Sequence, residues 1–246
     1  MTLEQFFHEH SSCALGFSGG VDSSYLLWAA LQAGIQIQPY FIKTAFQPAF
    51  ELEDAQRLTR KLGVMLKVVP LELPESVLDN PGNRCYVCKR ALFGTLRQMA
   101  ARDGFSVILD GTNASDDPGD RPGMKALEEM RVLSPLRLCG LTKEEIRRRS
   151  REAELFTWDK PAYACLATRF PTGTKITEAG LAQVEAAEGL LISMGFRDLR
   201  VRVFQGAARI QLPPEQMERL LQNREPVLRA LKQNFSAVML DLEGRA

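Results

Sequence analysis

Phe17-Ser18-Gly19-Gly20-Val21-Asp22-Ser23-Ser24 follows an apolar run that begins at Cys13 and leads directly into Tyr25-Leu26-Leu27-Trp28-Ala29-Ala30-Leu31. The run before it reads as a buried strand and the run after it as a helix. A Ser-Gly-Gly turn between the two lets backbone N–H groups close around an anion, and the helix start adds its positive dipole end. Ser18, Ser23 and Ser24 can donate hydroxyls to the same anion, and Asp22 can cap the opening turn. An ordinary capped turn explains any two of these residues but hardly the whole set, so the stretch predicts a site for a phosphate-type anion. The lysine of the Gly-x-x-x-x-Gly-Lys-Ser/Thr loop is missing, which excludes that loop type.

Working outward, strand and helix signals alternate. Ile35 to Ile42, Val64 to Val69 and Phe105 to Leu109 read as strands, and Arg131-Val132-Leu133 as a short fifth one. Helices are expected over Glu51–Leu62, Tyr86–Arg102 and Thr142–Glu152, the last opened by a capping box of Thr142 and Glu145. This order predicts an α/β fold, a parallel sheet with helices on both faces. Ligands in such sheets sit beyond the carboxyl ends of the strands, where the Ser18 loop and Asp110-Gly111-Thr112-Asn113 both fall. Past Thr174 the pattern changes to a helix over 177–194, alternating strands over 199–204 and 208–212, two short helices and a closing strand. That order suits a small C-terminal α+β domain. The expected organisation is 1–160, a connecting segment 161–174, and 175–246.

The 246 residues are 45% hydrophobic and 25% charged, an ordinary globular mixture. No apolar run is long enough to span a membrane, and Met1-Thr2-Leu3-Glu4-Gln5 lacks a signal pattern, so a cytoplasmic protein is expected. The net charge is +1, evenly balanced on both sides of Thr174. That balance argues against a polyanion-binding surface and hence against nucleic acid. The only histidines, His8 and His10, lie at what reads as a mobile N-terminus, so histidine catalysis is not expected. Five cysteines, an odd number, argue against a disulfide framework and turn attention to metal binding or catalysis.

Cys85 and Cys88 lie three apart near the start of a helix, with both sulfurs on one face and close enough to share a metal ion or cluster. Cys165 follows in Ala164-Cys165-Leu166-Ala167-Thr168-Arg169-Phe170-Pro171. A redox pair and inert packing cysteines remain open readings. Cys13 and Cys139 read as packing residues, with Cys139 a candidate fourth ligand.

Ser-Gly-Gly-x-Asp-Ser resembles the loop of the PP-loop ATP pyrophosphatases. The resemblance implies that Ser18, Gly19, Gly20, Val21, Asp22, Ser23 and Ser24 hold the pyrophosphate leaving MgATP when a substrate oxygen is adenylated. A narrower pattern comprises Asn80-Pro81, Arg84-Cys85-Tyr86-Val87-Cys88-Lys89, Asp110 to Asn113, Arg121-Pro122-Gly123, Ser134-Pro135-Leu136, and Ala164 to Pro171. Together these resemble the LarE family, ATP-dependent sulfur transferases that build the nickel-pincer cofactor of lactate racemase.

The resemblance implies that a carboxylate of a pyridinium dicarboxylate mononucleotide is adenylated and becomes a thiocarboxylate. It also implies a homo-oligomer. Some members sacrifice the sulfur of a cysteine at the position of Cys165, leaving dehydroalanine. Others carry two further cysteines and are thought to use a [4Fe–4S] cluster. With Cys85, Cys88 and Cys165 together, this chain resembles the second type. Three thiolates leave one iron open to sulfide or another sulfur donor; zinc and sacrifice of Cys165 remain alternatives.

Thr44, after the second strand, and Asp110, Gly111, Thr112 and Asn113 are the further nucleotide candidates. Arg169, Arg200, Arg202 and Arg209 are the expected cations for the substrate's phosphate and carboxylates. Glu188 resembles a glutamate of the family's site, and Gln211 stands where the family leads one to expect glutamate. The rival readings are a PP-loop tRNA thiolase, an ammonia-using ligase and a nucleotide-binding sensor without chemistry.

Overall fold

A computed structural model describes residues 1–116 and 122–245; Arg121, one of the residues matched above, lies outside them. In chain order the elements are α1 (Leu3–Glu9), β1 (Ser12–Gly16), α2 (Val21–Gln32), β2 (Gln36–Lys43), α3 (Ala49–Lys61), β3 (Lys67–Pro70), α4 (Glu75–Leu78) and α5 (Arg84–Arg102). They continue with β4 (Val107–Leu109), α6 (Pro122–Glu129), α7 (Pro135–Leu138), α8 (Lys143–Glu152), α9 (Glu178–Ser193), β5 (Arg200–Phe204) and β6 (Ala207–Gln211). α10 (Met217–Gln222), α11 (Arg224–Leu231) and β7 (Val238–Leu240) close the chain. Among the described residues no helix is long and apolar enough to cross a membrane.

The chain divides into two compact units, Met1–Leu73 with Asn83–Lys160, and Pro74–Gly82 with Pro161–Ala246. The first unit is built on a parallel sheet of order β3-β2-β1-β4. Its strands read as continuous apolar runs because both faces are covered. Cys13 and Leu15 of β1, with Ile37 and Phe41 of β2, enter one core beside Leu26, Leu27 and Leu58. Ala14, Tyr40 and Ile42 turn the other way, against Leu96 of α5 and Ile108 of β4. The order reverses between β1 and β4, which opens a crevice at their carboxyl ends.

Several expectations are corrected. The N-terminus is a helix, not a mobile tail. Thr2 and Gln5 form a capping box, and Phe6 and Phe7 are buried in the core. The strand expected over 131–133 is a single parallel bridge, Leu133 to Leu109, because Pro135 begins α7 two residues on. At α8 only half of the capping box forms. Thr142 accepts from the Glu145 N–H, while the Glu145 carboxylate pairs with Arg149.

In the second unit β5 and β6 form a hairpin whose turn residues, Gln205 and Gly206, both have positive φ, as a tight twisted turn requires. β7 joins β6 in parallel, giving the order β5-β6-β7. Apolar residues of α9, α10 and α11 (Leu191, Leu220, Val227, Leu231) pack against Val201 and Ile210.

Pro74–Gly82 belongs to this unit through Asn80. That residue is fully buried with φ +56°. Its side-chain amide donates to the Pro171 carbonyl at 2.7 Å, and its own carbonyl accepts from the Gly173 N–H at 2.8 Å. Asparagine tolerates this left-handed backbone better than most residues. Asn80→Ala, which loses the amide bond and strains the backbone, is expected to destabilise the unit by about 2–3 kcal/mol. Asn80→Gly, which loses only the bond, should cost about 1–2 kcal/mol. Urea denaturation of the two variants checks the difference.

Candidate functional site

The Phe17–Ser24 loop leaves β1 and enters α2 through Gly20, which occupies the cap position without a side-chain cap bond. Gly19 has φ +70°, and a Cβ there would lie 3.1 Å from the Ala55 backbone of α3. Only glycine satisfies both the dihedral and the contact. Ser18 and Ser23 hydroxyls lie 3.1 Å apart, and Ser18 Oγ accepts from the Gly20 N–H at 3.3 Å. Ser24, wholly buried, has a hydroxyl with no hydrogen-bond partner. An orphaned buried hydroxyl beside linked serines at a helix start suits an incoming anion.

Asp22 does not cap α2. Its carboxylate accepts from Asn113 Nδ2 at 3.3 Å and from Lys143 Nζ at 2.5 Å. Both partners come from distant sequence, 91 and 121 residues on. The Asp110–Asn113 segment thus meets the loop directly. A Cβ on Gly111 would stand 3.0 Å from the Ser23 backbone nitrogen, so the close approach at Gly111 is to α2. Asp110 accepts from the hydroxyls of Thr112 and Ser134.

An apolar pocket adjoins the loop, lined by Gly16, Phe17, Ser18, Ile42, Gln47, Phe93 and their neighbours. Thr44 is buried beside it rather than lining it. Its hydroxyl donates to Gln47 Oε1 at 2.7 Å, and Gln47 is one of the polar side chains on the wall. Sequence reasoning missed Gln47, Lys143 and Lys160. Lys160 Nζ reaches Gly19 O at 3.3 Å and Asp54 Oδ2 at 2.6 Å. The contacts of the two lysines span over a hundred residues, so local pattern carries no trace of them.

None of the five cysteines is in a disulfide. Cys85 is exposed and Cys88 partly so at the start of α5, where Arg84 lies 4.0 Å from the Cys85 sulfur. Cys165, in the second unit, is also partly exposed. Burial pushes the Cys13 thiol up to about 11 and raises that of Cys139, which disfavours both as thiolate ligands. Two soft sulfurs one turn apart suit iron or zinc, yet among the described residues no group of three or more His, Cys, Asp or Glu is placed to hold a metal ion.

In the second unit the 166–169 turn carries Arg169 into the interior, where its side chain is sealed from solvent. Arg169 Nε and Nη2 donate to the two carboxylate oxygens of Glu188 at 2.8 and 3.0 Å. Nη1 donates to the Ala164 carbonyl and the Thr168 hydroxyl, both at 2.8 Å, and to the Cys165 carbonyl at 3.3 Å. Its donors are therefore engaged within the protein, around the Cys165 backbone. Glu188 also accepts from Tyr163 OH at 2.5 Å and from the Val201 N–H at 2.8 Å. Burial, and then the adjacent carboxylate, push the Tyr163 phenol well up.

Arg200 is buried against the Tyr163 ring and donates to the Leu199 and Ala162 carbonyls. Burial, with Arg169 and Arg245 nearby, pushes it down to about 10. Arg202 donates to Gln211 Oε1 at 2.5 Å and to the Thr168 carbonyl at 2.8 Å. Gln211 in turn donates to Asp241 at 2.6 Å. An amide serves both neighbours, whereas a glutamate at 211 would set a second carboxylate against Asp241. Arg209 keeps 40% of its side-chain surface accessible, lies 3.6 Å from Asp241, and its Nε has no hydrogen-bond partner.

No protein-family model matches the chain. It is 38% identical over 250 residues to an uncharacterized protein of Synechocystis sp., spanning 98% of this chain and 92% of that protein. It is 32% identical over 248 residues to pyridinium-3,5-bisthiocarboxylic acid mononucleotide synthase of Lactiplantibacillus plantarum, spanning 99% and 90%. A shorter likeness, 29% over 157 residues, links 53% of the chain to 44% of the tRNA-specific 2-thiouridylase MnmA of Pseudothermotoga lettingae.

Removing one member of a buried ion pair leaves the other charge uncompensated. Glu188→Ala should therefore cost the second unit about 3–5 kcal/mol in chemical denaturation. The double variant Arg169→Met/Glu188→Leu is expected to recover part of that loss, because a packed apolar pair avoids the stranded charge.

Proposed function

The chain belongs to the family of pyridinium-3,5-bisthiocarboxylic acid mononucleotide synthase, and on that premise we propose that it converts a carboxylate of a pyridinium dicarboxylate mononucleotide to a thiocarboxylate. A carboxylate oxygen attacks the α-phosphorus of MgATP, the bond to the β-phosphate oxygen breaks, and pyrophosphate leaves with the electron pair. Sulfur then attacks the acyl carbon and AMP departs. The observation that carries the reading is the Ser18–Ser24 loop, with its glycine-dependent contacts and its buried, unpartnered Ser24 hydroxyl.

In this reading the loop residues Ser18 to Ser24 hold the polyphosphate, with Asp22 the carboxylate for Mg2+. Asp110, Gly111, Thr112 and Asn113 support that loop. The apolar pocket receives the adenine, with Gln47 oriented by Thr44. Arg200, Arg202 and Arg209 meet the substrate's anionic groups. Arg169 and Glu188 hold the backbone on which Cys165 sits. The enzyme would work in the cytoplasm as a homo-oligomer.

Cys85, Cys88 and Cys165 are the sulfur-handling residues. They would be the three thiolates of a [4Fe–4S] cluster, which when bound supplies an iron free to take exogenous sulfide. Sacrifice of Cys165 is the second reading, favoured by the held backbone from which that side chain projects. There the Cys165 sulfur attacks the acyl-adenylate, AMP leaves, and elimination across Cα–Cβ releases the thiocarboxylate and leaves dehydroalanine.

Anaerobic purification with iron and sulfide quantitation separates the two, about four of each per chain marking the cluster. Cys85→Ala and Cys88→Ala should each abolish sulfur transfer and leave MgATP binding within about twofold. Normal transfer by either variant overturns the cluster and points to Cys165. The chain would then lose, in a single turnover, the mass of one molecule of hydrogen sulfide. Absence of substrate-dependent pyrophosphate release overturns the enzymatic reading itself.

A further inference from the structure

The phosphate loop has no cation of its own: Phe17 to Ser24 contains neither lysine nor arginine. Beside Mg2+, a fixed cation favours leaving pyrophosphate, because negative charge builds on the oxygen that parts from the α-phosphorus. Within the first unit the fold brings one from the last residue of that unit. Lys160 Nζ lies 3.3 Å from the Gly19 carbonyl oxygen, at the residue whose positive φ shapes the loop.

Its approach is held from both ends. Arg147 donates to the Trp158 carbonyl and to the Lys160 carbonyl, both at 2.6 Å, which pins the Lys160 backbone to α8. At the other end the ammonium rests on Asp54 Oδ2 at 2.6 Å, with Asp54 on the same helix, α3, as the Ala55 that packs against Gly19. An ammonium has three N–H donors, and these two contacts engage two of them. The side chain keeps 21% of its surface accessible. We propose that Lys160 is the phosphate-binding cation of this loop, contacting the β- and γ-phosphates of ATP and stabilising the departing pyrophosphate, with Asp54 its resting counter-ion.

This inference rests on the loop being the ATP site, and it goes beyond that reading by naming the charged group the loop motif lacks. Lys143 is the other lysine near the loop, but its bond is to the Asp22 side chain. Lys160 is the one whose ammonium touches the loop backbone. A polyphosphate carries several negative charges against the single charge of Asp54, so the third donor can engage a ligand before the carboxylate lets go.

Titration calorimetry of the full chain with MgATP, magnesium pyrophosphate and AMP tests the assignment. Lys160→Met should weaken pyrophosphate and ATP by about tenfold or more and leave AMP within about twofold. Lys160→Arg should restore part of the pyrophosphate affinity. Asp54→Asn, which removes the competing carboxylate, should bind pyrophosphate at least as tightly as the parent.

Unchanged pyrophosphate affinity in Lys160→Met overturns the proposal, most plainly if that variant and Asp54→Asn share one fall in Tm, which reduces the pair to a strut. A parent protein that binds neither ATP nor pyrophosphate overturns the ATP-site reading itself. The two failures are therefore distinct.

Discussion

Two tight backbone approaches, each made at a glycine, organise the first unit. Gly19 lies against Ala55, and Gly111 lies against Ser23, each at a distance a Cβ would fill. The first sets the Phe17–Ser24 loop against α3, and the second sets the segment after β4 against the first turn of α2. Around them Asp22 meets Asn113 and Lys143, and Lys160 meets the Gly19 carbonyl. A glycine is needed at Gly19 on two counts, dihedral and contact. At Gly111 the contact alone favours it.

The second unit is organised by charge sealed from water. Burying Arg169 and Glu188 is unfavourable unless every polar atom finds a partner. Here the guanidinium engages both carboxylate oxygens and the backbone of Ala164 and Cys165, while the carboxylate also takes Tyr163 and the Val201 N–H. The pair thereby ties α9, β5 and the 162–169 segment into one arrangement. A flexible segment would present the Cys165 side chain in many orientations, and this network holds its backbone in one.

Much of the molecule was legible in the chain itself. The apolar runs of β1, β2 and β4 announce strands covered on both faces, and Gly19-Gly20 announces the turn between strand and helix. α1 was not legible, because its seven residues are short for a periodic signal. Its helicity comes from the capping box and from burying Phe6 and Phe7. The bridge at Leu133 is one residue long, below what alternation can reveal. Pro74–Gly82 looked like part of the first unit because it lies inside it in sequence. Asn80 assigns it elsewhere through bonds made some ninety residues away.

The sequence by itself determined the residue types and the local geometry: which runs are strands, where the loop must turn, and which side chains carry hydroxyl, thiol or charge. Those depend on neighbours a few positions apart, where periodicity and φ preference act. Only the tertiary structure decided the partners. Arg169, read along the chain as a cation open to a ligand, has its donors engaged by Glu188 and nearby backbone. Thr44 turns to Gln47, and Lys160 arrives at Gly19 from 141 residues away. Hydrogen bonds and ion pairs form between groups close in space, and closeness in space across that length of chain is a property of the folded whole.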